Sequence, residues 1–156
     1  MSTTTHTRAP ARTVRVLAVL VIVAGVILAV AGVATWLVVQ DQLAAENITV
    51  ADDAERYAGE PVDGPLTAFA QADVIERHAL EASGGSTYAE LDREDPTRDV
   101  VMNASFLRAS LFTSVVSFGI AAMAVGLGIT FILIGWALMS VARSLNVAAV
   151  PVDTRA

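Results

Sequence analysis

Chemistry in this chain would have to come from few groups. Its histidines are His6 and His78, and it has no cysteine. Disulfides, thiolate metal sites and thiol catalysis are therefore excluded. A zinc site of three histidines, or of two with a cysteine, fails on the count alone. An iron site of two histidines and one carboxylate would need both histidines on one metal. The acids Asp92, Glu94, Asp95 and Asp99 cluster, but without EF-hand spacing or the glycine a calcium loop needs. They read as a solvated acidic face. Ser83 and Ser86 flank a glycine pair without the G-x-S-x-G elbow of a nucleophilic serine. No Walker or dinucleotide-binding glycine pattern occurs. No catalytic residue, cofactor or metal is expected.

The elements that would position these groups follow from charge and hydropathy. The apolar fraction is 54% and the charged fraction 17%, the balance of a membrane protein rather than of a soluble core. All ten basic residues are Arg. Arg8, Arg12 and Arg15 stand in a first segment without acids, whereas residues 41–108 hold fifteen of the sixteen acids against five Arg. The chain thus has a basic end and an acidic middle. Three Arg beside an apolar run suit anionic headgroups, and nucleic acid is not an expected partner.

Two stretches lack any ionisable side chain: the twenty-five residues 16–40 and the thirty-four residues 109–142. About 20 apolar residues in a helix cross a bilayer, and a helix satisfies its own backbone there. The sequence predicts an all-α membrane protein, a hairpin of two transmembrane helices with a partly helical extracytoplasmic loop. Its parts are a basic cytoplasmic tail (1–15), a first span (16–40), an acidic outer loop (41–108), a second span (109–142) and a cytoplasmic tail (143–156). A cleavable signal peptide is the rival for the first run, with a small-x-small site after Ala31. That run continues through Trp36 to Val39, beyond the length of a signal h-region, so cleavage is not expected. The Arg preceding the first span place both termini in the cytoplasm of a cell (inner) membrane.

Within the loop, "GEPVDGP" at 59–65 is turn chemistry. Residues 66–85 then read as a helix with Ala68, Ala72, Ile75, Ala79 and Ala82 on one stripe. His78 borders that stripe, where a structural or solvated imidazole is the expected role. Asp73, Arg77 and Glu81 lie opposite, spaced for i,i+4 pairs, and Gly84-Gly85 supplies the stop. "TYAE" at 87–90 fits a capping box opening a short helix through about Glu94. "NITV" at 47–50 fits either a short strand or the frayed end of the first span. The Thr-rich first seven residues are expected to be disordered. Asp95 as N-cap and Pro96 at N1 predict that the second helix starts in water. It would lean a Val100, Ala104, Leu107 and Leu111 stripe on the loop helix before entering the bilayer near Arg108, whose side chain would snorkel to the headgroups.

The spans carry one pattern of their own. Ser110, Ser114, Ser117, Ala121, Ala124, Gly128, Phe131 and Gly135 alternate +4 and +3 steps, as do Ala18, Ile22, Gly25, Ala29, Gly32 and Trp36. Small residues let helix backbones approach in lipid. The expected packing seam is Ala18, Gly25, Ala29 and Gly32 against Ser117, Ala121, Ala124, Gly128 and Gly135, within one chain or between two. Neither span has an ionisable residue, which argues against a proton relay.

Residues 46–119, "ENITVADDAERYAGEPVDGPLTAFAQADVIERHALEASGGSTYAELDREDPTRDVVMNASFLRASLFTSVVSFG", resemble a family of small two-span actinobacterial membrane proteins often labelled "aromatic ring-opening dioxygenase". The resemblance implies a two-span protein. Dioxygenases of that name hold iron through His and carboxylate ligands. Here the predicted topology puts His6 and His78 on opposite sides of the membrane, so no iron site assembles and no catalytic residue carries over. The expectation is a non-catalytic accessory or scaffold protein. Its partners would be the lipid bilayer and, at the acidic loop, another membrane or envelope protein or a second copy. The alternatives are an enzyme of the labelled type and, more distantly, a homo-oligomeric pore.

Overall fold

The computed structural model describes residues 9–147. His6, Arg8 and the Thr-rich start lie outside the described residues, as do Asp153 and Arg155 of the predicted C-terminal tail. The described chain is helical: α1 (Ala9–Ala45), α2 (Pro65–Ala82) and α3 (Arg98–Val147), with no strand among the described residues. α1 and α3 are long and apolar enough to cross a membrane. The chain forms two compact units. One comprises the described residues up to Gly32 and from Met123 onward; the other is Val33–Ala122.

In the unit Val33–Ala122, α1 stops because Asn47 takes a left-handed conformation (φ 51°) just past its end. The Asn47 N–H donates to Ala44 O at 3.1 Å, closing the last turn as a C-cap residue does. Residues 48–50 are neither a strand nor a frayed helix end. They pair with 59–62 through Val50 N–H to Glu60 O (2.9 Å) and Val62 N–H to Ile48 O (2.8 Å), leaving a single antiparallel bridge, Thr49 to Pro61. Thr49 and Pro61 are the non-hydrogen-bonded pair between those two bonds, so the N–H that Pro61 lacks is not one the pairing uses. This hairpin drives Val50 and Val62 into the core, where each contributes about 1.5–3 kcal/mol of burial as an upper bound.

α2 starts at Pro65, a residue suited to N1. The Gly64 N–H donates to the Thr67 hydroxyl (3.3 Å), half of a capping box. Its end is a Schellman turn: Gly85 N–H to Leu80 O at 2.7 Å and Gly84 N–H to Glu81 O at 3.4 Å, with Gly84 at φ 65°. Ala68, Ala72 and Ala79 are buried and Ile75 is half-buried, but Ala82 is exposed. Ala68 and Ala72 join Leu43, Val50, Val62, Leu111 and Phe118 in one core, closed by an edge-on contact of Trp36 with Phe118 at 4.7 Å.

Three expectations change here. The short helix after Thr87 is a set of turns. Glu90 does accept the Thr87 N–H and hydroxyl at 2.8 Å, yet the acidic stretch behind it has no apolar stripe to offset helix nucleation. α3 begins at Arg98, two residues after Pro96. Asp95 caps Thr97 instead, accepting its N–H at 2.7 Å and its hydroxyl at 2.6 Å. The buried face of α3 keeps Ala104 and Leu111 but takes Val101 and Arg108 in place of Val100 and Leu107. Val101 and Leu111 are buried and Ala104 half-buried, whereas Val100 and Leu107 are exposed. The reason is Arg108, which occupies that face with its guanidinium on Glu76 at 2.6 Å.

Because Ala68 and Ala72 are fully enclosed (0% exposed), added volume has nowhere to go. Ala72→Leu should destabilise the Val33–Ala122 unit by about 1–3 kcal/mol. Hydrogen exchange of α2 amides would read this, and unchanged protection would show that the helix packs more loosely than described.

Candidate functional site

The ionisable groups of the Val33–Ala122 unit converge at two points. The first is Asp53, in the hairpin loop. Its Oδ2 lies 2.7 Å from His78 Nε2 and 2.7 Å from Arg77 Nη2, and Arg77 also donates to the Asp53 carbonyl at 2.9 Å. Beside them the Ala51 N–H donates to Gln71 Oε1 at 2.9 Å. Arg77 therefore reaches off its own helix to the hairpin. The hydrogen bond from His78, more than that from Arg77, holds the exposed Asp53 carboxyl below its ordinary value of 3.8. Glu90 and Asp95 are lowered in the same way by the donors of Thr87 and Thr97.

The second point is the Glu76–Arg108 pair, whose arginine also lies 5.2 Å from the Phe112 ring. Arg108 was expected to reach headgroups; it is taken up by a carboxylate from α2 instead. Nearby, Arg98 stacks on Tyr88 at 4.2 Å and donates to the carbonyls of Tyr88 and Leu91, which staples the turns between α2 and α3. The cavity between Ala79, Leu80, Val101 and Arg108 is about 90 Å3, far below the several hundred Å3 of a small-molecule site.

An Asp–His pair supplies two of the three members of a catalytic triad, but its chemistry needs a nucleophile within reach of the other imidazole nitrogen. Here His78 spends Nε2 on Asp53, and Ser83 and Ser86 bond to each other's segment, Ser83 Oγ donating to Ser86 O at 2.5 Å. Asp92, Glu94 and Asp99 are exposed. Among the described residues no group of three His, Asp or Glu side chains is placed to hold a metal ion. What the arrangement does is fasten the hairpin to α2 and leave an exposed acidic surface.

The second unit holds the other candidate residues. An added Cβ on Gly25 would lie 2.7 Å from Gly128 O, and one on Gly128 only 2.6 Å from Gly25 O and Ala29 N. A Cβ on Gly135 would meet Ala18 O at 2.8 Å. Ala18 and Gly32 are buried, and Ala29 and Ala124 half-buried. In this unit α1 and α3 thus meet backbone to backbone within one chain, on α1 at Ala18, Gly25 and Ala29. In the Val33–Ala122 unit Ala121 is buried and Ser117 half-buried, its hydroxyl turned to Thr113 O at 2.8 Å. Ser110 and Phe131 of the wider repeat are exposed. Sequence reading gives no sign of Phe118, which is buried in the core with Leu43, Val50, Val62 and Leu111, or of the Asp53 cluster, whose partners are 24 and 25 residues apart.

Compared with protein-family models, curated proteins and solved structures, the chain matches none.

Two outcomes follow. Gly128→Leu should weaken α1–α3 packing by about 1–3 kcal/mol, while Gly126→Leu, at a position with nothing within 4 Å, should stay within about 0.5 kcal/mol. Unfolding in detergent would compare them, and equal losses would sink the assigned phase. Asp53, with a lowered value, supports the hairpin contact fully above its ordinary 3.8 and loses it as pH falls through the lowered value. A carboxyl-carbon NMR titration should therefore find a midpoint below 3.8. His78→Ala should raise it more than Arg77→Ala does; the reverse order would give the guanidinium the larger part.

Proposed function

We propose that this is a multi-pass protein of the cell (inner) membrane without catalytic activity, an accessory or scaffold subunit whose acidic outer head contacts a partner. On this reading it is a helical hairpin with both termini cytoplasmic, akin to the small two-span family that residues 46–119 resemble.

One observation carries the membrane part. Along α1 and α3, the small residues Ala18, Gly25, Gly128 and Gly135 are buried, while large apolar ones such as Val26, Ile27, Val30, Ile129 and Leu133 are exposed. A water-soluble core does the opposite, enclosing its Val, Ile and Leu. Helices in lipid pack on small residues and turn the large ones outward. An exposed apolar surface of this extent has no place in water.

The orientation rests on Arg12 and Arg15, which border an apolar groove with Val16, Val19 and Leu20, the composition of a cytoplasmic headgroup contact. The outer position of the head leaves Glu55, Glu81, Asp92 and Glu94 exposed and free to meet a basic surface.

Reporter fusions test the topology: alkaline phosphatase should be active when joined within 60–65 and inactive after Arg143. A photo-crosslinker at Glu81 or Asp92 in intact cells should trap a membrane or envelope protein, or a second copy. Stoichiometric iron in the purified protein, or turnover of a catechol, would overturn the non-catalytic reading in favour of the ring-opening enzyme.

A further inference from the structure

We infer that the first two turns of α2 are an interfacial anchor, with Leu66 and Phe69 seated where lipid headgroups meet acyl chains. The inference rests on the membrane reading above and adds to it: part of the loop helix, not only the two long helices, contacts the bilayer.

Charge is sorted along α2. Residues 65–72, PLTAFAQA, contain no ionisable group, whereas residues 73–82 contain Asp73, Glu76, Arg77, His78 and Glu81. The contacts with α3 set the depth of each end. Ala79 and Leu80 line a cavity with Val101, Ala104 and Ser105. Glu76 pairs with Arg108. Phe69 meets Phe112 edge-on, with centroids 5.7 Å apart at 87°. α2 therefore runs antiparallel to this part of α3, and each turn back toward Pro65 lies deeper along it. Arg108 is the last ionisable residue before the charge-free run 109–142. The uncharged end of α2 thus lies beside the uncharged part of α3, and its charged end beside the charged part.

The two large side chains on those turns are not core. Leu66 is 62% exposed and Phe69 51%, while Thr67 and Ala68 between them face inward. On a helix in water the outward positions would be polar. Large apolar residues on the outer face, followed one turn later by charge, are the composition of a helix lying at a membrane surface. Continuity with the apolar surface of α3 names the occupant as lipid: Val116 and Ile120, further along α3, are exposed as well.

The absence of cysteine makes the test direct. Single substitutions Leu66→Cys, Phe69→Cys and Glu81→Cys, with Val26→Cys and Ile129→Cys as bilayer references, would carry a nitroxide in the full chain. The protein would be reconstituted into phosphatidylcholine–phosphatidylglycerol vesicles. Ala70→Cys keeps both apolar side chains and reports the same depth. Collisions with oxygen should exceed those with a water-soluble nickel chelate several-fold at 66, 69 and 70, and the order should reverse at 81. Nickel dominating at 66, 69 and 70 while oxygen dominates at 26 and 129 would overturn the anchor and spare the membrane reading. Exclusion of both reagents at 66 and 69 would mean that a protein surface covers the face, which also overturns it. Nickel reaching 26 and 129 would remove the membrane reading and the anchor together.

Discussion

The approach of Gly25 to Gly128 is the constraint on which the helix pair depends. A Cβ on either glycine would fall inside the van der Waals envelope of the opposite backbone, so only two residues without side chains permit that separation. Dispersion falls steeply with distance, and in lipid it must hold helices together without a hydrophobic drive. The same two helices solve the problem differently in the Val33–Ala122 unit. There Trp36 meets Phe118 edge to face, and bulk rather than its absence fills the space. A smaller residue at 118 would leave a void, whereas a larger one at 128 would force the backbones apart.

Arg108 organises the head in a comparable way. It stands on the inward face of α3, a position that α2 leaves open by presenting alanines, and its charge is met by Glu76. With both partners more than a third exposed, the pair supplies little stability. What it supplies is register. An arginine on the packed face can be accommodated at one setting of α2 against α3, and the pair together with the Phe69–Phe112 contact one turn away fixes that setting. The Asp53 cluster fastens the hairpin to the other side of α2.

How much of this could be read from the sequence depended on how local each cause was. The charge-free runs 16–40 and 109–142 and the Gly84-Gly85 stop are local signals, and α1, α3 and the Schellman turn followed from them. Val50 and Val62 were illegible because a three-residue extended segment has too little periodicity to announce burial. Half of the α3 stripe, Val100 and Leu107, fails for a different reason. A pattern reader places arginine on the solvent face, so Val100 and Leu107 were favoured over Val101, when a carboxylate one helix away had made the arginine's face the inner one. The Asp53 cluster joins groups 24 and 25 positions apart, and no spacing rule predicts such a contact. Spacing alone marks the seam residues, yet it cannot say that the helices meet within one chain.

The energetics of the head bear on what it can be for. Ala68 and Ala72 bury about one methyl group each, worth about 0.8 kcal/mol apiece, and the Ala51–Gln71 hydrogen bond adds about 0.5–1.5 kcal/mol. Ordering a residue costs about 1–2 kcal/mol of backbone entropy. Val74 and Ala79 of α2 are buried as well, so α2 is held by several small buried side chains spread along its length. On the proposed reading the acidic surface of this head would serve recognition by charge, where exposed carboxylates steer a basic partner before the surfaces fit.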